Sequence, residues 1–172
     1  MKHLEKNAVH TLLNIIGTVP EYQIVHFTDG GELLIEMLQE HCATHDYLYQ
    51  INCVDDTLFS TLKEKYKETP KTMVLKIPLE RRTYKIQGRE YQFMFVSALV
   101  AEELRGDFLE KAHVIIRSSG CIVIFVKKKD YPERDSWTAL LEEKLYVSTS
   151  IVDDMFEHYD IIISKRMHGW GI

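Results

Sequence analysis

Gln23-Ile24-Val25-His26-Phe27-Thr28-Asp29-Gly30-Gly31-Glu32-Leu33-Leu34 is the stretch from which the fold can be read. Gln23 to Phe27 is an apolar run of strand length. Thr28-Asp29-Gly30-Gly31 then reads as a turn. From Glu32 to Cys42 the period changes to that of a helix. Leu33, Leu34, Met37 and Leu38 share one face, and Glu32, Glu36 and Glu40 share the other. Acidic Glu32 near the helix start suits the helix dipole. A strand that passes through glycines into a helix opens an α/β unit. Ligands of such sheets gather at the carboxyl ends of the strands, where strand order reverses.

The alternation continues in both directions. Met1 to Ile16 is expected to be a helix, stopped by Gly17 and Pro20. Tyr47 to Cys53 is a second strand. Asp55 or Asp56 caps a helix running to about Glu68, which Thr69-Pro70 ends. Thr72 to Ile77 is a third strand. Leu79 to Glu90 is a charged excursion with room for a small hairpin at Thr83–Ile86. Tyr91 to Ala98 is a fourth strand, apolar enough to be covered on both faces. Glu102 to Arg117 is a helix closed by Ser118-Ser119-Gly120, and Cys121 to Val126 a fifth strand. Lys127 to Asp135 reads as a polar loop and Ser136 to Leu145 as a helix. Tyr146–Val152 and Tyr159–Lys165 are the last strands, joined by Asp153–His158. Alternation gives parallel strands with right-handed crossovers. The final link is too short for a crossover, so that pair must be antiparallel. The expected fold is α/β: three layers, a mostly parallel seven-stranded sheet ending in an antiparallel hairpin, and helices on both faces.

The length of 172 residues suits one domain. Its expected parts are an N-terminal helix and linker at 1–20, a core at 21–166 and a tail at 167–172. The three cysteines, Cys42, Cys53 and Cys121, have no paired spacing and lie in apolar runs, as free thiols in a reducing compartment would. No apolar run approaches the ~20 residues of a membrane span. The N-terminus has no apolar signal core, so the chain is expected in the cytoplasm.

Net charge is −5, unevenly spread. From Asn7 to Leu62 there is no Lys or Arg, against eight carboxylates. Lys63 to Arg89 reverses the balance. An acidic first third opposes nucleic acid and the pyrophosphate of a dinucleotide, and favours a cationic ligand. No Walker-type Gly-Lys-Ser/Thr is present.

The element order is also the layout of class I S-adenosylmethionine-dependent methyltransferases, with their Rossmann-like sheet, and particular segments resemble that family. Tyr91-Gln92-Phe93-Met94-Phe95-Val96-Ser97-Ala98 looks like its fourth strand. Asp107 to Ala112, then Arg117-Ser118-Ser119-Gly120 and Cys121 to Phe125, look like its helix, turn and fifth strand. Leu140-Leu141-Glu142-Glu143, Val147–Ile151 and Tyr159–Arg166 look like its last helix and closing hairpin.

The resemblance implies S-adenosylmethionine as cofactor, held by Phe27, Thr28, Asp29, Gly30, Gly31, Asn52, Asp55, Ser97 and Ala98. The family's (D/E)xGxGxG loop, aligned on Gly31, puts Val25 at the acid, Phe27 at the first glycine and Asp29 at the second. Phe27 could fill the space of the methionine moiety. Asn52 falls where an acid takes the ribose hydroxyls, with Asp55 and Asp56 just beyond. The methyl acceptor would be a small molecule or a protein, reached near Ser97, and a homo-oligomer is compatible. The alternative is a fold that has lost the cofactor and serves as a binding or assembly module.

Other features have plain structural readings beside functional ones. Glu102 is a candidate base or an exposed helix-start carboxylate. His41, Cys42 and His45 lack a completing cluster, so no metal is expected. Lys127-Lys128-Lys129 is an anion contact or a solvated loop. No serine has the Gly-x-Ser-x-Gly context of a nucleophile. The Met167–Ile172 tail, with Trp170, is expected to dock on the domain or a partner.

Overall fold

A computed structural model describes residues 1–84 and 90–169. The chain runs α1 (Lys6–Leu13), β1 (Gln23–Thr28), α2 (Glu32–His45), β2 (Leu48–Cys53), α3 (Asp56–Lys65), β3 (Thr72–Lys76), β4 (Tyr91–Val96), α4 (Glu102–Ile115), β5 (Ile116–Lys127), α5 (Tyr131–Glu143), β6 (Tyr146–Val152) and β7 (Tyr159–Arg166). Seven strands form one sheet in the order β3-β2-β1-β4-β5-β7-β6. The pairs from β3 through β5 are parallel, and β7 lies antiparallel between β5 and β6. The α/β expectation therefore stands, antiparallel end included.

Strand alternation sorts the apolar side chains into two cores. Ile24, Tyr49, Ile51, Phe93 and Phe95 pack with Leu12, Leu38 and Leu62 of α1, α2 and α3. Val25, Phe27, Met94, Val96, Ile122 and Ile124 pack with Phe108 and Leu109 of α4 and Trp137 and Leu141 of α5. Helices thus cover both faces, and β1 and β4 are buried almost throughout. No described helix is long and apolar enough to cross a membrane.

Several boundaries differ from the sequence expectation, each for a local reason. The first helix starts at Lys6, not Met1, because residues 1–5 are held elsewhere. Lys2 N donates to the Tyr159 hydroxyl at 2.7 Å, and Glu157 N donates to Glu5 Oε1 at 3.1 Å. The second helix runs past Cys42 to His45, and Asp46 ends it in the left-handed region at φ +59°. The fourth strand stops at Val96. Helix α5 begins at Tyr131, not Ser136. Asp130 caps it by accepting from Glu133 N at 3.1 Å, and Pro132 sits in the first turn, where a missing N–H costs nothing.

The fourth helix stops at Ile115, and Arg117 to Gly120 is not its closing turn but part of β5. Tyr91 pairs with Ile116 and Phe93 with Cys121, so Arg117–Gly120 bulges out between them. Gly120 is needed there by close approach. An added Cβ would lie 2.7 Å from Ile116 Cγ2 and 2.8 Å from the Arg117 carbonyl oxygen. The hairpin expected at Thr83–Ile86 falls partly, and Trp170 wholly, outside the described residues. His168 of the tail is described, with Nδ1 2.6 Å from Ser118 Oγ.

Candidate functional site

Strand order reverses at β1, which has β2 on one side and β4 on the other. The crossovers leave in opposite directions there and open a crevice at the strand ends. The backbone closes its base. Ser97 N and Ala98 N both donate to the Phe27 carbonyl, at 3.0 and 3.1 Å. Asp29 Oδ2 accepts from Leu99 N at 2.8 Å and ties the first loop to the end of β4. Thr28 Oγ1 donates to the Gly30 carbonyl at 2.6 Å and accepts from Gly30 N at 3.1 Å, which shapes the turn.

A cleft of about 510 Å³ opens above this base. Asp29 and Ser97 to Val100 form one wall. Phe125, Lys127 and Tyr159 come from β5 and β7, Glu133 and Trp137 from α5, and Met1 and Lys2 from the N-terminal segment. Asp29, Ser97 and Ala98, predicted apart in sequence, are brought together, with Thr28, Gly30 and Gly31 as the adjoining turn.

Gly31 sits at φ +90°, a conformation that side chains resist. Its open face carries the Met1 side chain: an added Cβ would lie 2.7 Å from the Met1 sulfur and 3.3 Å from Met1 Cβ. Gly31→Ala is therefore expected to lower stability by about 1–3 kcal/mol, from backbone strain and displacement of Met1. Urea unfolding checks this; a change within ~0.5 kcal/mol would show that the loop relaxes freely.

The remaining predicted positions lie elsewhere. Phe27 does not fill the cleft. Its ring is fully buried in the second core, 4.8 Å from the Tyr84 ring and 5.2 Å from that of Phe108. Asn52 is also fully buried. Its Oδ1 accepts from Gln50 Nε2 at 2.8 Å, while Nδ2 has no hydrogen-bond partner among the described residues. Asp55 is exposed and caps α3, accepting from Leu58 N at 2.8 Å. Glu102 is exposed in the first turn of α4. His41 and His45 stack at 4.4 Å, and His45 Nδ1 donates to the His41 carbonyl at 2.9 Å.

The lysine run is divided by burial. Lys128 Nζ lies 3.4 Å from Asp160 Oδ1 and donates to the Asp153 and Phe156 carbonyls. Lys129 N donates to Asp160 Oδ2 at 3.0 Å, and Arg134 Nη1 lies 3.3 Å from the same oxygen. Asp160 is fully buried, so these contacts hold the β5–α5 connection against β7. Lys127 alone of the run lines the cleft. Behind Trp137, Arg105 donates to the Val100 carbonyl at 3.2 Å and to Ser136 Oγ at 2.9 Å. Its guanidinium lies 5.5 Å over the Trp137 ring.

The sequence reading passed over His26 and Tyr49. His26 is fully buried, with Nδ1 2.8 Å from the Tyr49 hydroxyl and Nε2 2.7 Å from Ser97 Oγ. Burial pushes its pKa down to about 3, so the ring is neutral at physiological pH. Burial also raises the Tyr49 phenol well above its ordinary value. The signal available in the sequence was a single imidazole inside an otherwise apolar strand.

The fold is that of the class I S-adenosylmethionine-dependent methyltransferases. A methyltransferase of that dependence from Aquifex aeolicus superposes with a TM-score of 0.73 at 15% identity, over 92% of this chain and 89% of that one. Human N-acetylserotonin methyltransferase, in complex with S-adenosylmethionine, gives 0.70 at 11% identity, over 94% of this chain and 51% of that one. The CurJ carbon methyltransferase gives 0.69 at 14% identity, over 92% of this chain. The chain spans 52% of the CurJ protein and 48% of the citrinin polyketide synthase methylating domain, about half of each. No family model matches the sequence, and no curated protein does.

Proposed function

We propose that this chain is an S-adenosylmethionine-dependent methyltransferase whose cofactor binds at the Asp29–Gly31 turn and the end of β4. The observation that carries the reading is the convergence of Asp29, Ser97 and Ala98 on one crevice at the switch point, beside Met1, which packs on Gly31. The space over Gly31 already takes a methionine side chain, that of Met1, so the methionine part of the cofactor fits there once Met1 moves aside. Asp29 and Glu32 flank the start of α2, which suits a sulfonium and an ammonium and opposes a phosphate.

When bound, the cofactor supplies an electrophilic methyl group on sulfur. The chain's own residues do the rest. Asp29 attracts the positive charge, Ala98 and Val100 with Phe125 and Trp137 exclude water, and Ser97 orients a polar group. Such a transfer needs mainly positioning. The acceptor is a small molecule or a protein segment that enters past Lys127 and Tyr159.

Titration calorimetry with S-adenosylhomocysteine tests the reading. Asp29→Asn keeps an oxygen to accept from Leu99 N but removes the charge. It is expected to weaken binding about tenfold with little change in melting temperature. Absence of binding and of any thermal shift at millimolar S-adenosylmethionine and S-adenosylhomocysteine would overturn the proposal and leave the cofactor-free module.

A further inference from the structure

Three groups, two on strands and one just past the end of a third, form a chain that leads from the buried interior to the cleft. Tyr49 stands on β2, His26 on β1 and Ser97 at the end of β4, and each contact is within hydrogen-bond distance. The two inner members are fully buried, while Ser97 is 9% exposed and lines the cleft.

The direction of the chain follows from counting donors. A phenol always has a proton to donate, and a neutral imidazole has one N–H and one bare nitrogen. The only hydrogen-bond partner of the Tyr49 hydroxyl among the described residues is His26 Nδ1. If Nδ1 carried the hydrogen, the Tyr49 proton would have no acceptor in a place that water does not reach. The satisfied arrangement has Tyr49 donating to bare Nδ1 and Nε2–H donating to Ser97 Oγ. Ser97 then has its own proton left, and the cleft is where that proton can find an acceptor.

We propose that Tyr49 and His26 are positioning residues that hold Ser97 as a hydrogen-bond donor into the cleft, selecting a ligand that presents an acceptor atom there. A carbonyl or carboxylate oxygen, or an unprotonated ring nitrogen, meets that demand. A ligand N–H at the same point leaves the Ser97 proton without an acceptor. The identity of the ligand rests on the methyltransferase reading; the direction of the chain does not.

Two measurements test the proposal separately from that reading. Long-range proton–nitrogen NMR on ¹⁵N-labelled protein reports the His26 tautomer, assigned by its loss in His26→Gln. The expected result is Nε2–H with a bare Nδ1. Hydrogen on Nδ1 overturns the proposal, and a merely space-filling imidazole would not be held to one tautomer. Calorimetry with S-adenosylhomocysteine is the second. Ser97→Ala is expected to bind about tenfold more weakly, and Ser97→Thr, which keeps the hydroxyl, within about threefold of the original. Equal affinity in Ser97→Ala overturns the proposal. If the unaltered protein does not bind S-adenosylhomocysteine, the methyltransferase reading fails and the tautomer alone decides.

Discussion

Phe27→Gly is expected to lower the stability of the fold by about 4 kcal/mol and to create no cofactor site. The residue aligns with the first glycine of the family loop, so a reading from alignment alone predicts the reverse: a plug removed and a site restored. The position of the ring decides between them. It lies at the centre of the second core, against Tyr84 and Phe108, with none of its surface exposed. Its neighbours are held by the sheet on one side and α4 on the other, so they can collapse only partly into the space left. Deleting a buried phenyl ring costs roughly 3–5 kcal/mol, and glycine within a strand adds about 0.5–1 kcal/mol. Against a total stability of about 5–15 kcal/mol, the variant should unfold at much lower urea with an unchanged slope. A loss below about 1 kcal/mol, together with tighter binding of S-adenosylhomocysteine, would show that the ring faces the cleft.

The same residue marks how far the sequence could be read. The strand, turn and helix of Gln23–Leu34 are local events, set by periodicity and by glycine, and they appear where expected. The antiparallel end was legible from one short link, Asp153–His158, because too few residues remain for a crossover. What was not legible depends on partners far away in the chain. Which face Phe27 takes is fixed by the register of β1 between β2 and β4. Gly120 reads as a helix stop until the Gln92 carbonyl of β4 is seen 3.1 Å from its absent Cβ. Met1–Glu5 has helical spacing yet is drawn off by Tyr159 and Glu157. Of the site, the Asp29–Gly31 turn and the end of β4 were legible as strand-end positions. The walls from α5 and the N-terminal segment were not, since nothing local tells Trp137 or Met1 which crevice it will border.

The second large effect is a loss of stability in mild acid caused by His26. In the folded chain its pKa is pushed down to about 3 by burial, while in the unfolded chain it returns to about 6.5. Between those values the unfolded state holds a proton that the native state does not, so stability rises with pH across that window. The contribution is complete above about pH 6.5 and is lost progressively as pH falls toward 3. Each unit of pH within the window is worth about 1.4 kcal/mol, which makes the loss about 2 kcal/mol at pH 5. His41 and His113, both lowered mainly by desolvation, act in the same direction. A comparison of two proteins isolates His26. Urea midpoints measured from pH 7.5 to 4.5 should fall more steeply for the unaltered chain than for His26→Phe. That variant sits beside the Phe95 ring, 6.5 Å from the present imidazole, and has no proton to take up. It will start from lower stability at pH 7.5, because the Tyr49 hydroxyl loses its partner, and only the slope bears on the claim. Parallel slopes would mean that the native state protonates His26 as readily as the unfolded one. The imidazole would then have water within reach, and its role as a dry link between Tyr49 and Ser97 would fall with the slope.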